Sequence, residues 1–166
     1  ADPEIVGAAR EGHGGLHRLA GRFLLFEADL ERPRIEADLQ VRVFGADRRP
    51  VIESILQRAP QFAFVSEGPD GIKGYCFGRA GHAFTHIGPV IPNDVASAKE
   101  VVTAALRNAA GSPVVLDGLH HTPEWVQWLN SLGFREQRPL IRMFRGTNDH
   151  PGQPEKQFAI LGPEFG

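Results

Sequence analysis

Only one cysteine, Cys76, occurs among the 166 residues, so no disulfide can form within the chain. A chain without disulfides fits a reducing compartment, and nothing in the sequence resembles a signal peptide. Apolar runs long enough to span a bilayer are also missing. The net charge is only −2, and no basic stripe is present to bind a nucleic-acid backbone. We therefore expect a cytoplasmic protein whose partners are neither nucleic acids nor membranes.

The rest of the composition is that of a folded domain. With 42% apolar and 23% charged residues, the chain is ordinary for a globular protein and long enough to bury one core. Residues 1–20 differ, because four glycines and scattered charges there show no hydrophobic period. We predict a flexible leader or linker remnant for residues 1–20 and a single domain for residues 21–166.

Hydrophobic periodicity predicts a mixed α/β chain. The order is one strand, two helices, three strands, a helix, a strand, a helix and two strands. Its centre is a strand–helix–strand crossover, which would be parallel and right-handed within one sheet. The predicted strands are residues 21–28, 61–67, 73–80, 83–91, 113–119, 139–146 and 156–162. The predicted helices are residues 34–44, 47–59, 97–106 and 122–133.

The stretch from Ala83 to Leu106 is the best-marked part of this pattern. It reads as a strand, a short polar loop and a helix, with Ser97 and Glu100 in the spacing of a capping box. The amides from Asn93 to Ala98 would lack intrahelical partners, and the helix dipole adds positive potential there. A phosphate group is therefore a natural ligand for this loop.

Two histidines are the candidate catalytic residues. His120 follows the predicted central strand, where open α/β sheets place ligand crevices, and His86 lies on the strand before the loop. An imidazole titrates near neutral pH and could deprotonate an ammonium, although a structural role is the simpler alternative for each. Asp117, Glu67 and Cys76 are weaker alternatives. We expect no metal site, because the zinc-protease motif and cysteine pairs are missing.

Several motifs resemble the GNAT acyltransferase superfamily. The segment TPEWVQWLNSLGF, residues 122–134, is similar to the family's last helix ending in L-G-F, and the element order agrees from Gly21 to Gly166. The stretches FGADR, HIGPVI and FAILGPEFG also resemble the C-terminal half of bacterial proteins with two tandem GNAT domains. The resemblance implies a twisted, mostly antiparallel sheet with a central parallel strand pair and about four helices.

The resemblance also implies a cofactor and its site. In this family acetyl-CoA lies between two splayed strands, here Thr85–Ile91 and Val114–Gly118, and its pantetheine arm pairs with the backbone of the first. The pyrophosphate lies on the amides of the following loop. The implied cofactor-binding residues are Gly88, Pro89, Val90, Ile91, Asn93, Val95, Ala96, Ser97 and Ala98. The implied activity is acetyl transfer from acetyl-CoA to a small primary amine.

The sequence departs from the family pattern at two positions that matter for this activity. The loop PNDVASA, residues 92–98, contains no glycine, and Asp94 adds a negative charge beside the expected phosphates. Leu129 stands where the family's last helix carries a tyrosine that serves the thiol. The alternative prediction is thus a catalytically degenerate GNAT-fold domain that serves substrate binding or homodimerisation. A third alternative is an unrelated α/β module that binds some other anion.

Overall fold

A computed structural model describes residues 5–10, 24–25 and 41–165. The described strands are β1 (Ile5–Arg10), β2 (Leu24–Leu25), β3 (Phe64–Gly68), β4 (Gly71–Ala80), β5 (Thr85–Pro92), β6 (Val114–Leu119) and β7 (Arg135–Leu140). They form one sheet in the order β2-β3-β4-β5-β6-β1-β7. Neighbouring strands are antiparallel except β5 and β6, which are parallel. The predicted sheet, mostly antiparallel with a central parallel pair, is confirmed.

Three complete helices accompany the sheet in the described part of the chain. They are α1 (Arg49–Arg58), α2 (Val95–Asn108) and α3 (Pro123–Ser131). Residues 41–44 are also helical, which confirms the predicted helix end near Phe44, while residues 34–40 lie outside the described residues. Short 3-10 turns occupy Pro60–Phe62, Pro154–Lys156 and Pro163–Phe165. Among the described residues, no helix is long and apolar enough to cross a membrane.

Helix α1 buries Ile52 and Ile55 against the sheet. Its N-cap residue is Arg48, whose side chain makes no capping hydrogen bond. The carboxylate of Asp47 still accepts a hydrogen bond from the backbone N–H of Arg49 at 2.9 Å. The carboxylate thus stabilises the first turn from just outside it.

Helix α3 follows its local sequence signals closely. Pro123 lies in the first turn, where a missing N–H costs nothing, and Gly133 adopts φ +90° just after the helix. The backbone N–H of Phe134 donates to the carbonyl oxygen of Leu129 at 3.2 Å, which closes the end of the helix. Thr122 is the N-cap residue, but its side chain makes no capping bond.

Both ends of the chain differ from prediction. Residues 5–10 form a strand between β6 and β7, so the flexible-leader prediction is wrong for these residues. The rest of that stretch lies outside the described residues, as does predicted strand 21–28 apart from Leu24–Leu25. The strand predicted for residues 139–146 lies earlier, as β7, and leaves Ile141 and Met143 76% and 87% exposed. Residues 156–162 form no regular strand, because Ala159 lies in the gap between β5 and β6 and makes only single-residue bridges to them.

Candidate functional site

The central parallel strands β5 and β6 pair only where they begin. Their register consists of Thr85 opposite Val114 and His86 opposite Val115. Beyond these pairs no further ladder joins them, although β5 continues to Pro92 and β6 to Leu119. The two strands therefore splay, as the family resemblance implies for a cofactor cleft.

The chain's own C-terminal insert, defined as residues 157–161, fills this gap. The backbone N–H of Val90 donates to the carbonyl oxygen of Ala159 at 3.0 Å, and the carbonyl oxygen of Val90 accepts from the N–H of Phe158 at 2.9 Å. Ala159 forms single-residue bridges to both Val90 and Gly118. The insert thus pairs with the backbone N–H and carbonyl groups of Val90, on the edge of β5 that is expected to pair with pantetheine.

On the other side of the gap, β6 and α3 also form hydrogen bonds with the insert. The carbonyl oxygen of Phe158 accepts from the backbone N–H of Leu119 and from the indole Nε1–H of Trp125, both at 3.1 Å. The N–H of Ile160 donates to the carbonyl oxygen of Asp117 at 3.0 Å. All five residues of the insert are buried. The strand predicted for residues 156–162 is therefore wrong: the insert fills the gap between β5 and β6 without forming a regular strand.

His121 anchors the start of the insert. Its Nε2 lies 2.6 Å from the carbonyl oxygen of Gln157, so Nε2 carries a proton and donates it. Its Nδ1 lies 2.7 Å from Oγ1 of Thr122, which explains why that hydroxyl does not cap α3. The neighbouring His120, a predicted catalytic residue, lines a small cavity of about 50 Å³ with Trp125 and Glu136. The structure thus separates His120 from His86, which lines a different cavity.

Gly88 shows how closely the insert approaches β5. A Cβ built on Gly88 would lie 2.0 Å from the carbonyl oxygen of Ile160, far inside van der Waals contact. Only glycine allows the backbone to come this near. Gly88, Pro89, Val90 and Ile91, predicted to bind the cofactor, are buried in this contact region of β5.

The N-terminus of α2 is also occupied from within the chain. Asp94 is the N-cap, and its Oδ1 accepts from the backbone N–H of Ser97 at 2.7 Å. The hydroxyl and backbone N–H of Ser97 hold the pKa of Asp94 below its ordinary value. The predicted capping box of Ser97 and Glu100 is therefore wrong, since Glu100 instead accepts a hydrogen bond from the hydroxyl of Ser66 at 2.6 Å.

Few amides of this loop are left for a phosphate. The N–H of Asn93 donates to the carbonyl oxygen of Lys73, and the N–H of Ala98 donates to that of Asp94. Val95 and Ala96 lie in the first turn beside the Asp94 carboxylate. Among the residues predicted to hold acetyl-CoA, the backbone N–H groups of Val90, Asn93, Ser97 and Ala98 thus already donate to groups of the chain itself.

The buried side chains of His86 and Asp117 form a pair near the end of β5 and β6 where the two strands are still paired. Nε2 of His86 is 2.9 Å from Oδ2 of Asp117, and the two side chains are only 8% and 7% exposed. An ionised Asp117 requires the proton on Nε2, so the neutral imidazole keeps its lone pair on Nδ1. This Nδ1 is buried and has no hydrogen-bond partner among the described residues. A carboxylate that orients an imidazole in this way is an arrangement suited to a general base.

The sequence predicts only part of this pair. It marks His86 as a candidate base and Asp117 as a separate acid, but nothing in the sequence pairs the two. The register of β5 and β6 brings the two side chains together. His86 lies opposite Val115, and Asp117 follows Val115 by two residues on the same face.

An open cavity of about 700 Å³ adjoins the pair. Its walls come from the end of β4, the turn before β5, the starts of β5 and β6, and from β7. They include Arg79, Phe84, His86, Asp117, Arg138 and Pro163. Among the described residues no cluster of three or more His, Cys, Asp or Glu could hold a metal ion. The cavity therefore offers charged and hydrogen-bonding side chains to a small molecule.

The acids in and beside the cavity wall are already engaged by bases. Arg79, which lines the cavity, forms an ion pair with Glu164, and Asp117 faces His86. Burial acts to raise the pKa of Glu164, but hydrogen bonds from its own backbone N–H and from Arg79 leave that pKa below its ordinary value. The side chain of Arg138, by contrast, forms neither an ion pair nor a hydrogen bond with any described residue, while its backbone belongs to the β1–β7 ladder.

A mixed sheet whose central parallel strands separate, with a helix entering after each, defines an α/β fold with a crevice between those strands. The model of the acetyltransferase (GNAT) domain family matches residues 37–159, so the chain belongs to the GNAT acetyltransferase family. A search of curated proteins finds no match.

Two solved structures share this fold. A proposed acetyltransferase from Pyrococcus horikoshii superposes with a TM-score of 0.69 and 14% identity, over 98% of this chain and 51% of that one. A GCN5-related N-acetyltransferase from Sphaerobacter thermophilus superposes with a TM-score of 0.56 and 17% identity, over 82% of this chain and 49% of that one. The chain thus spans about half the length of both structures.

Proposed function

We propose that this chain is a GNAT-fold domain of an acetyltransferase that contributes ligand binding and does not hold acetyl-CoA between β5 and β6. One observation carries the proposal: the backbone N–H of Val90 donates to Ala159, and the carbonyl oxygen of Val90 accepts from Phe158. The half-length match to the Pyrococcus structure, a proposed acetyltransferase, supports a role as one part of a longer enzyme.

An energetic comparison favours a closed cleft. Acetyl-CoA could enter only by expelling the insert, which would expose the buried side chains of Phe158, Ile160 and Leu161. Exposing three such side chains costs roughly 5 to 9 kcal/mol. A ligand of micromolar intrinsic affinity gains only about 8 kcal/mol on binding. Nearly all of that binding energy would be lost, so we expect the insert to stay in place.

The ligand site in this proposal is the cavity beside His86 and Asp117. Its expected ligand is the small primary amine that acetyltransferases of this family use as acceptor. A neutral His86, oriented by Asp117, can accept a proton or a hydrogen bond from such a group. Homodimerisation, the other role considered for a degenerate domain, stays a prediction that light scattering can check.

Isothermal titration of the chain with acetyl-CoA tests the proposal. We expect no saturable heat up to millimolar acetyl-CoA, and circular dichroism of the same sample should show the folded α/β spectrum. Saturable binding that protects Val90 or Ser97 in an amide-exchange experiment would overturn the proposal, because those amides could contact the cofactor only after the insert and the Asp94 cap had opened.

A second candidate function is acetyl transfer from acetyl-CoA to a primary amine by this chain itself. The observation that favours it is the oriented His86–Asp117 pair, which is equipped to deprotonate an ammonium. The test is release of coenzyme A from acetyl-CoA with a mixture of primary amines as acceptors. His82→Gln is the matched control, since His82 lines the same cavity but has no hydrogen-bond partner among the described residues. Release that is lost in His86→Gln and kept in His82→Gln would establish this second function.

A further inference from the structure

We infer that the cavity beside His86 and Asp117 binds a ligand that carries a carboxylate, and that Arg138 is the residue that recognises it. The inference rests on the proposed ligand-binding role of the domain and adds the chemical class of the ligand. It starts from which groups in the cavity walls lack partners.

The acids in and beside the cavity wall are engaged, and one guanidinium is not. His86 engages Asp117, and Arg79, which lines the cavity, engages Glu164 beside it. Arg138 is exposed on β7 and lines the cavity, and its side chain forms no ion pair or hydrogen bond with a described residue. A guanidinium presents five N–H donors in a planar fork. The unsatisfied groups of these walls are therefore mainly donors, and they call for an anionic ligand group.

Arg79 adds to this preference from another wall. It lies at the end of β4 and gives one N–H to Glu164, which leaves further donors on the same guanidinium. Arg138 on β7 and Arg79 on β4 thus contribute guanidinium groups to the same cavity. Arginine is the residue best suited to planar, two-point recognition of carboxylates and phosphates.

A carboxylate suits the cavity better than a phosphate. Asp117 lines the cavity, and Glu164 lies beside it as the ion-pair partner of Arg79. Repulsion from these acids grows with the negative charge of the ligand. A phosphate monoester carries between one and a half and two negative charges near pH 7, whereas a carboxylate carries one. The smaller charge meets less repulsion and still engages the guanidinium fork.

The unpartnered Nδ1 of His86 is an independent observation that points to a ligand. A buried polar atom without a hydrogen bond costs roughly 1 to 3 kcal/mol, and none of the described residues satisfies this one. Nδ1 itself is closed to solvent, so an N–H group of the ligand would reach it only after a local shift of the cavity wall. A primary amine that also carries a carboxylate combines both requirements.

NMR titration of the ¹⁵N-labelled chain tests the inference with three probes at constant ionic strength: 4-aminobutyrate, butylamine and inorganic phosphate. We expect 4-aminobutyrate to bind saturably and about tenfold or more tighter than butylamine or phosphate, because charge-assisted hydrogen bonds contribute one to two powers of ten. Arg138→Gln should remove this advantage. Arg135→Gln is the matched control, since Arg135 is exposed on the same strand but does not line the cavity.

Each contrary outcome has a distinct meaning. Equal binding of butylamine and 4-aminobutyrate, tighter binding of phosphate, or unchanged affinity in Arg138→Gln would each overturn the carboxylate inference and leave the ligand-binding role intact. The absence of binding by all three probes would overturn both. Acetyl-CoA binding in the separate titration would overturn the proposed closed cleft without affecting the assignment of Arg138.

Discussion

Val90 and Ala159 face each other across the gap between the central strands, with the N–H of Val90 donating to the carbonyl oxygen of Ala159 at 3.0 Å. A backbone amide has one proton, so this group cannot also pair with a ligand. The insert therefore occupies the backbone group that the family resemblance assigns to the cofactor.

Gly88→Ala tests how tightly the insert contacts β5. The new Cβ would lie 2.0 Å from the carbonyl oxygen of Ile160, and backbone on both sides limits relaxation. We expect a loss of roughly 2 to 3 kcal/mol in the free energy of unfolding, at the upper end of overpacking effects. Urea denaturation followed by circular dichroism measures this loss.

Gly68→Ala is the control for that substitution. Its Cβ would meet only the flexible end of the Lys73 side chain, which can move aside at little cost. We expect a change below about 0.5 kcal/mol, as for most surface substitutions. Equal stability of the two variants would mean that the insert does not press on Gly88.

Trp125→Phe tests the anchor on the other side of the gap. The indole Nε1–H donates to the carbonyl oxygen of Phe158 at 3.1 Å, and Trp125 is fully buried. Loss of the donor and of ring volume should cost about 2 kcal/mol and speed hydrogen exchange of residues 157–161. Trp128→Phe is the control. Trp128 stacks on Trp125 with the ring centroids 5.1 Å apart, but Trp125 supplies the hydrogen bond to the carbonyl oxygen of Phe158. Faster exchange in both variants would assign the effect to general loosening of α3.

Asp94 gives a prediction with a pH dependence. Its folded-state pKa lies below the ordinary value, so its charge stabilises the fold above the unfolded pKa near 3.9, and this contribution is lost as the pH falls through the folded pKa. Asp94→Ala should cost about 1 kcal/mol near neutral pH and progressively less in acid. Asp94→Asn should retain most of the stability, because asparagine caps helices as well as aspartate does.

The same two variants also test whether the Asp94 charge alone excludes acetyl-CoA. Removing this carboxylate frees the helix N-terminus but leaves Val90 paired with Ala159. We therefore expect neither variant to bind acetyl-CoA in isothermal titration. Binding gained by Asp94→Ala would show that the phosphate loop, and not the insert, closes the site.

Local signals in the sequence predicted the elements whose reasons are local. Pro123 and Gly133 mark the two ends of α3, and the turn around Asp70 marks the hairpin of β3 and β4. The strand–helix–strand crossover of β5, α2 and β6 also follows from chain order and handedness. These features depend on residues that are close in sequence, so a single chain reveals them.

The remaining features depend on contacts between distant residues. Residues 5–10 pair with β6 and β7, more than 100 positions away, and their short apolar run has no alternation that predicts such partners. The apolar stretch around Ala159 looks like an ordinary strand, and only the splay of β5 and β6 makes it a plug. Asp94 and Ser97 are both acceptable caps, and the end of β5 decides between them.

Cys76 gives the last prediction, which concerns reactivity. The thiol is completely buried on β4 and lies 3.4 Å from the carbonyl oxygen of Val101 on α2. Burial raises the pKa of the Cys76 thiol far above its ordinary range, so the reactive thiolate is scarce at neutral pH. We expect native protein to resist a thiol-reactive dye such as Ellman's reagent, and the same sample in denaturant to release one equivalent of chromophore.

This reactivity also reports on how the core opens. Cys76 belongs to the same apolar cluster as Phe158 and Trp125, so a variant that loosens the insert should expose the thiol more often. Labelling in Trp125→Phe should therefore be faster than in the native chain, and labelling in Gly68→Ala should not. Rapid labelling of the native protein would contradict the buried position of Cys76 and would restore it as a candidate nucleophile.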